Sequence, residues 1–161
     1  MNLWISLNDK PLKTLQPAGL LALRLWLAQE FLLAGYTKLS TGLHAPDWFT
    51  NLSFPFPLAL LPNDINWMIA GTSEIGLAVL LALGLFGRFA ATGLLFITWV
   101  AVYSVHFDLG WHGWNQIETE HGLGYKVPLM MGIMLLQLVC ADMGKWSFDV
   151  WRTHNTSAMT H

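Results

Sequence analysis

The chain has 161 residues, with 8 basic and 10 acidic side chains, a formal net charge of -2 and one cysteine, Cys140. Apolar residues make up 54% and charged residues 11% of the sequence, where ordinary soluble domains carry about 25% charged residues. This balance excludes a disordered chain, an internal disulfide, a basic nucleic-acid-binding surface and an ordinary soluble domain, and it indicates a single membrane domain over residues 1–161.

Four stretches are apolar and long enough to cross a bilayer core about 30 Å thick as helices. The first begins after Pro17, the second follows the cap candidates Asn63 and Asp64, and the fourth is the shortest. The sequence predicts an all-α, four-helix transmembrane bundle, and a disordered tail at 152–161 because that segment has no apolar periodicity. The predicted spans are residues 18–39, 65–86, 89–107 and 126–141.

The basic residues predict the orientation of the bundle. With both termini in the cytoplasm, only Lys38 and Lys126 fall at the outer face, at helix ends where their stems can reach the surface. The positive-inside rule therefore favours an N-in/C-in arrangement. The basic residues on the inner side are then Lys10, Lys13, Arg88, Lys145 and Arg152.

The two longer loops are expected on the outer side. Within the first, residues 47–62 are too apolar for a free loop and too rich in proline to span the membrane. We expect this segment to lie at the membrane interface, anchored by aromatic side chains. The expected anchors are Trp48, Phe49, Phe54 and Phe56.

Three ionisable residues lie inside predicted spans: Arg24, Glu30 and Glu74. Charges in hydrocarbon are costly, so they are usually paired or functional. Arg24 and Glu30, six residues apart on a helix, point to different sides, whereas Glu30 and Glu74 both lie near the midplane. Two interpretations stay open and are compatible: an Arg24–Glu74 pair that joins the first two helices, and a polar pocket. Small residues predict close helix packing at Gly35, Gly71, Gly76 and Gly84.

Histidines and acidic residues gather on the predicted outer side. Imidazole and carboxylate groups suit a divalent metal, so one hypothesis is a metal site assembled across the loops from His106, His112, His121 and Glu118. No HxH or HxxxH spacing supports it, and solvated loop histidines are the commoner outcome. His106 is the exception, because it ends a span and can face the bundle. The sequence also lacks the GxSxG, P-loop and HExxH motifs, so we do not expect an enzyme on its own.

Several motifs, taken together in their order, resemble the DoxX family of small four-helix membrane proteins. The resemblance spans about residues 15–149. The motifs are Arg24 with Gly35-Tyr36-Thr37-Lys38-Leu39, Glu74-Ile75-Gly76 with Leu83-Gly84-Leu85-Phe86-Gly87-Arg88, Val105-His106, and Gly144-Lys145-Trp146-Ser147-Phe148-Asp149.

Within that family the chain is most similar to the HvfX-type branch, although its second outer loop is shorter. The segments behind this likeness are 48–49, 54–62, 105–107 and 125–129. Members of the branch are encoded beside small copper-binding, ribosomally made peptides and the iron enzyme that modifies their cysteines. The resemblance therefore implies a multi-pass protein of the bacterial inner membrane that helps to mature, export or handle such a peptide, or acts in metal stress.

Three functional hypotheses follow. In the first, an accessory protein for a copper-binding peptide, Arg24, Glu30 and Glu74 form a polar core with His106 and Lys126 at its outer mouth. In the second, which the thiosulfate:quinone oxidoreductase subunit of the wider family suggests, the pocket holds a quinone and Glu74 relays protons. A partner protein supplies the redox centre. In the third, the chain is a scaffold. The expected cofactors are copper or a quinone, the expected partners are the bilayer, the peptide and its modifying enzyme, and self-association is left open.

Overall fold

The computed structural model describes the backbone of residues 3–140 and the side chains of residues 15–140. Over this part of the chain, the α-helices are α1 (Leu3–Ser40), α2 (Asp47–Thr50), α3 (Asn63–Leu83), α4 (Gly87–Ser104) and α5 (Lys126–Cys140). Two short 3₁₀ segments, Leu58–Leu60 and Gly110–Asn115, lie in the loops. An antiparallel pair of two-residue strands, β1 (Glu118–Thr119) and β2 (Gly122–Leu123), interrupts the predicted all-α pattern.

The helical, membrane-type architecture is confirmed, but the number of spans differs from the prediction. Three helical segments are long and apolar enough to cross a membrane: Leu15–Ser40 within α1, α3 and α4. Helix α5 is apolar but has 15 residues up to the last described residue. The described residues therefore establish three candidate spans rather than four. The predicted disordered tail at 152–161 lies outside the described residues.

The helix boundaries correct the predicted spans. Helix α1 begins at Leu3 and continues through Pro17, which does not open the span. Helix α3 ends at Leu83 because Gly84 adopts a left-handed conformation with φ of 67°, and its N–H closes the last turn onto Leu80 and Leu81. Helix α4 ends at Ser104, so the predicted span over 89–107 is shorter at this end.

The helices pack in sequence around an apolar core. Helix α1 packs along α3, α4 packs along α5, and the contact between α3 and α4 is smaller. The core consists of side chains from all four long helices, including Leu27, Phe31, Ala78, Leu81, Leu94 and Leu135. We call the end of the bundle formed by residues 41–62 and 105–125 the loop end, and the end formed by the connection at 84–86 the turn end.

The first loop packs onto the bundle rather than only lying beside it. Phe49 is 5% exposed, and its ring centroid is 4.9 Å from that of the buried Trp67 on α3 and 5.0 Å from that of Phe54. Trp48 and Phe56 are exposed, as expected for interface anchors. The prediction of four interfacial anchors is therefore wrong for Phe49, because its burial against α3 removes it from the surface.

Asp64 fastens the first loop to α3. Its carboxylate accepts a hydrogen bond from the Ala45 N–H at 2.8 Å, and the second carboxylate oxygen lies 3.2 Å from His44 Nδ1. The predicted cap residue thus binds the preceding loop instead of its own helix, whose first turn follows Pro62. This contact holds the aromatic part of the loop over the end of α3.

Candidate functional site

A partly buried ion pair joins α1 to α3. Lys38 Nζ donates to both carboxylate oxygens of Glu74, at 2.9 and 2.8 Å, and the Glu74 side chain is 7% exposed. The helices approach closely here because Gly35 and Gly71 lack side chains. A Cβ on Gly35 would lie 2.7 Å from the carbonyl oxygen of Gly71. This close approach brings the lysine of one helix onto the carboxylate of the other.

Arg24, the expected partner of Glu74, instead binds backbone carbonyl groups near the end of α3. Its guanidinium Nε donates to the Leu81 carbonyl oxygen at 3.2 Å, and Nη2 donates to that of Ala82 at 3.0 Å. Leu81 lies about 10 Å along α3 from Glu74, since each helical residue rises about 1.5 Å. The predicted Arg24–Glu74 pair is therefore wrong: the arginine binds the carbonyl end of α3, a favourable place for a cation.

A cavity of about 380 Å³ lies between α3 and α4 at the loop end, with Lys38 and Glu74 in its wall. The first loop covers it with the side chains of Trp48, Phe49, Phe54 and Leu58. Most of the wall is apolar, and a few polar groups converge on it, as in small-molecule sites of this size. We refer to this space as the cavity.

Three buried polar atoms of the cavity wall are left without hydrogen-bond partners among the residues that the structure describes. They are Asn66 Oδ1 on α3, Ser104 Oγ at the end of α4, and His106 Nδ1 just beyond it. Asn66 is 5% exposed, and its Nδ2 already donates to the Leu58 carbonyl oxygen at 3.0 Å. An unpaired buried polar group costs about 1–3 kcal/mol, so a bound molecule or water that reached these three groups would stabilise the protein.

His106 lies beyond α4 and is kept neutral by its surroundings. Burial lowers the pKa of His106 below its ordinary value, although the backbone of Gly124 and the carboxylate of Asp108 act in the opposite direction. At neutral pH the imidazole therefore carries one proton and can donate one hydrogen bond and accept another.

The other predicted site residues lie away from the cavity. Glu30 and Lys126 are partly exposed and are not in its wall, so the cavity does not bring them together with Glu74 and His106. Gly76 was predicted to pack against a neighbouring helix, but a Cβ there would meet nothing within 4 Å, and Gly84 ends α3. Gly35 and Gly71 are the predicted packing glycines that lie in the α1–α3 contact.

The predicted metal ligands do not come together. Within residues 15–140, no group of three or more His, Cys, Asp or Glu side chains could hold a metal ion. His112, His121 and Glu118 are exposed in the second loop, whereas His106 faces the cavity. The physical reason is that His106 is partly buried in the cavity wall and interacts with the Gly124 backbone, whereas the other three side chains point into solvent.

Sequence reasoning missed three residues of this site: Lys38, Asn66 and Ser104. Lys38 was assigned to the membrane surface because it ends a span. A signal for Asn66 was present, because Asn66, Ser73 and Glu74 are spaced by seven and eight residues and so share one face of α3. Polar side chains on a single stripe of an apolar helix indicate a wall that is not in contact with lipid.

Comparison with known proteins assigns the family. The DoxX family model matches residues 19–107, which is more than half of the chain. The chain belongs to the DoxX family. It is similar to a protein of Haemophilus influenzae described only as an uncharacterized protein, with 39% identity over 133 residues that cover 81% of each chain. No solved structure matches it significantly.

The DoxX match includes the whole cavity. All of the lining residues of the cavity lie between Lys38 and His106, inside the matched range, whereas α5 and the β1–β2 strand pair lie beyond that range. The cavity is therefore formed entirely by the part of the chain that defines it as a DoxX protein.

Proposed function

We propose that this DoxX protein is a membrane-embedded binding protein for a small, uncharged amphipathic molecule with a quinone-type headgroup. One observation supports this above the others: three buried polar atoms that have no partner among the described residues belong to side chains that line one cavity of ligand size. This favours a pocket over a scaffold, because a pure scaffold gains nothing from leaving them unpaired.

The chemistry of these atoms selects the headgroup. The amide oxygen of Asn66 accepts, and the hydroxyl of Ser104 donates or accepts. The unpartnered Nδ1 of neutral His106 accepts, because the single ring N–H interacts with the Gly124 backbone. A quinone carbonyl would accept from the hydroxyl, and a quinol hydroxyl would donate to the amide oxygen or to Nδ1. Both redox forms of one molecule therefore find partners in the cavity.

The charge of the cavity wall favours a neutral ligand. Lys38 and Glu74 pair with each other through two short hydrogen bonds, so the pair has no net charge. A charged headgroup would have to compete with one member of that pair for the other, at the cost of desolvating a charge. In this proposal, the redox centre that exchanges electrons with the ligand belongs to a partner protein.

Calorimetric titration with a chainless benzoquinone tests the proposal. The purified protein in detergent should bind 2,3-dimethoxy-5-methyl-1,4-benzoquinone, and Ser104→Ala should weaken binding about five- to tenfold by removing one hydrogen bond. Thr72→Ala is the matched control, because the Thr72 hydroxyl is exposed on α3 and bonds the Met68 carbonyl oxygen. Absence of binding to the unaltered protein, or equal effects of both variants, would contradict the proposal.

We infer a second candidate function, the handling of a copper-binding peptide, from the position of the residues that resemble the HvfX-type branch. Several residues behind the likeness to the HvfX-type branch line the loop end of the cavity: Trp48, Phe49, Phe54, Leu58, Val105 and His106. An apolar peptide segment would fit against these rings, with the peptide rather than this chain holding the metal.

Copper sensitivity of the source cells tests the second candidate. Deletion of the gene for this protein should make growth more sensitive to copper. Expression of the His121→Ala variant in the deletion strain should restore copper tolerance, whereas expression of His106→Ala should not. His121 is the matched control because it is exposed in the second loop, away from the cavity. Unchanged copper tolerance in the deletion strain would remove this candidate.

A further inference from the structure

The cavity is elongated along α3 and α4, and we call this elongated space the α3–α4 cleft. Its deep end is the end farther from the loop end. On α3 it is lined by Asn66, Ile69, Ala70, Ser73, Glu74 and Leu77, positions that recur on one helical face. The lining of α4 runs with the same spacing from Gly93 to Ser104. Each stripe covers eleven residue steps, about 16 Å at about 1.5 Å per step. This length exceeds that of a single aromatic ring.

The two ends of this cleft differ in polarity. Because α3 and α4 are antiparallel neighbours, Asn66 and Ser104 lie together at the loop end, where their unpartnered atoms are found. Leu77 and Gly93 lie together at the deep end, since a Cβ on Gly93 would be 2.7 Å from Leu77 Cδ1. The cleft therefore passes from the unpartnered groups at the loop end, past Ser73 and the Lys38–Glu74 pair, to hydrocarbon at Leu77 and Gly93.

The cleft is covered at the loop end and accessible from the side. Phe49 and Trp67 are 5% and 3% exposed and pack edge to face over the loop end. Ile69 and Phe96 line the cavity but are 44% and 52% exposed. Both belong to candidate membrane spans, so we expect the surface that they form to face lipid.

We propose that the ligand carries a hydrocarbon chain, that this chain lies in the α3–α4 cleft, and that the ligand enters sideways from the bilayer. The polar head then sits at the loop end, and the chain runs toward Leu77 and Gly93. This inference rests on the proposed function for the headgroup and adds the chain and the route of entry.

Two probes with one headgroup test the inference. The protein in detergent is titrated with the chainless benzoquinone and with its decyl derivative, in wild-type form and as Gly93→Val. The valine fills the deep end, so we expect affinity for the decyl probe to fall about tenfold, the effect of about two buried methylenes, while affinity for the chainless probe stays within about twofold. Gly76→Val is the matched control: a Cβ there meets nothing within 4 Å, so both affinities should be unchanged.

A compensating variant guards against misfolding. Leu77→Ala in the Gly93→Val background removes the side chain that the valine meets and should restore decyl affinity. Equal losses for both probes, no loss for the decyl probe, or no restoration in the double variant would overturn the inference while leaving headgroup binding intact. If neither probe binds the wild-type protein, the proposed function itself fails.

Discussion

At the scale of single residues, the central feature is the buried Glu74 carboxylate and its partly buried partner, the Lys38 ammonium, within candidate spans. Depth counting along α3 locates Glu74 near the middle of its span, but sequence alone does not select its cation. Arg24 and Lys38 were both available, and the choice depends on how α1 lies against α3. Gly35 and Gly71 favour Lys38 as the cation, because the absence of side chains at these positions lets this part of α1 approach Glu74 on α3.

Removing one member of this pair should destabilise the protein more than removing both. Lys38→Met leaves the Glu74 carboxylate buried without its cation, and we expect the free energy of unfolding to fall by about 3 kcal/mol. The double variant Lys38→Met with Glu74→Met should recover most of that loss, because two apolar side chains replace the pair. Thermal denaturation in detergent measures both. A double variant that is less stable than Lys38→Met would contradict this account of the pair.

Acidification should destabilise the protein through His106. Burial lowers the pKa of His106 in the folded state, so as pH falls below about 6.5 the unfolded chain takes up a proton that the folded chain resists. Stability is complete above that pH and declines below it. His106→Gln should flatten this part of the profile in denaturation curves recorded between about pH 5 and pH 8. An unchanged slope in the variant would show that other groups cause the decline.

At the scale of elements, the length and composition of the apolar stretches predict the helices well, but they do not predict which loops and helices pack against one another. Three of the predicted spans correspond to helices that meet the length criterion, with ends displaced by local effects such as the left-handed Gly84. The position of the first loop is harder to predict, because an aromatic, proline-rich segment can lie at a membrane interface or pack on the surface of a helix bundle. Its packing is decided by tertiary contacts of Phe49 and Asp64 that no local pattern encodes.

The contact between α1 and α3 should depend on Gly35 and not on Gly76. Gly35→Ala places a methyl group 2.7 Å from a backbone oxygen that cannot rotate away, and we expect a loss of about 1–3 kcal/mol from overpacking. Gly76→Ala adds the same group where nothing lies within 4 Å, and should be neutral or slightly stabilising. Comparison of the two melting temperatures checks this. Equal changes in the two melting temperatures would contradict a specific close approach at Gly35.

At the scale of the whole molecule, the three unpartnered polar groups of the cavity wall lie at the loop end, whereas Ser73 and the ion pair lie farther along α3. We predict from the distribution of basic residues that this end lies outside the cytoplasm. In a Cys140→Ser background, an impermeant maleimide should label Thr50→Cys and Glu118→Cys in intact cells, and Arg88→Cys only after lysis, because Arg88 lies at the turn end. Labelling of Arg88→Cys in intact cells would reverse the orientation.

Occupancy of the cavity between α3 and α4 is the property on which the proposed function depends. Photoaffinity labelling with an azido-benzoquinone, followed by peptide mapping, tests this most directly. We expect adducts within residues 66–77 and 93–106, suppressed by excess unlabelled quinone and weakened in Ser104→Ala but not in Thr72→Ala. Adducts spread evenly over the exposed faces of the helices, with no competition by the unlabelled compound, would contradict the account.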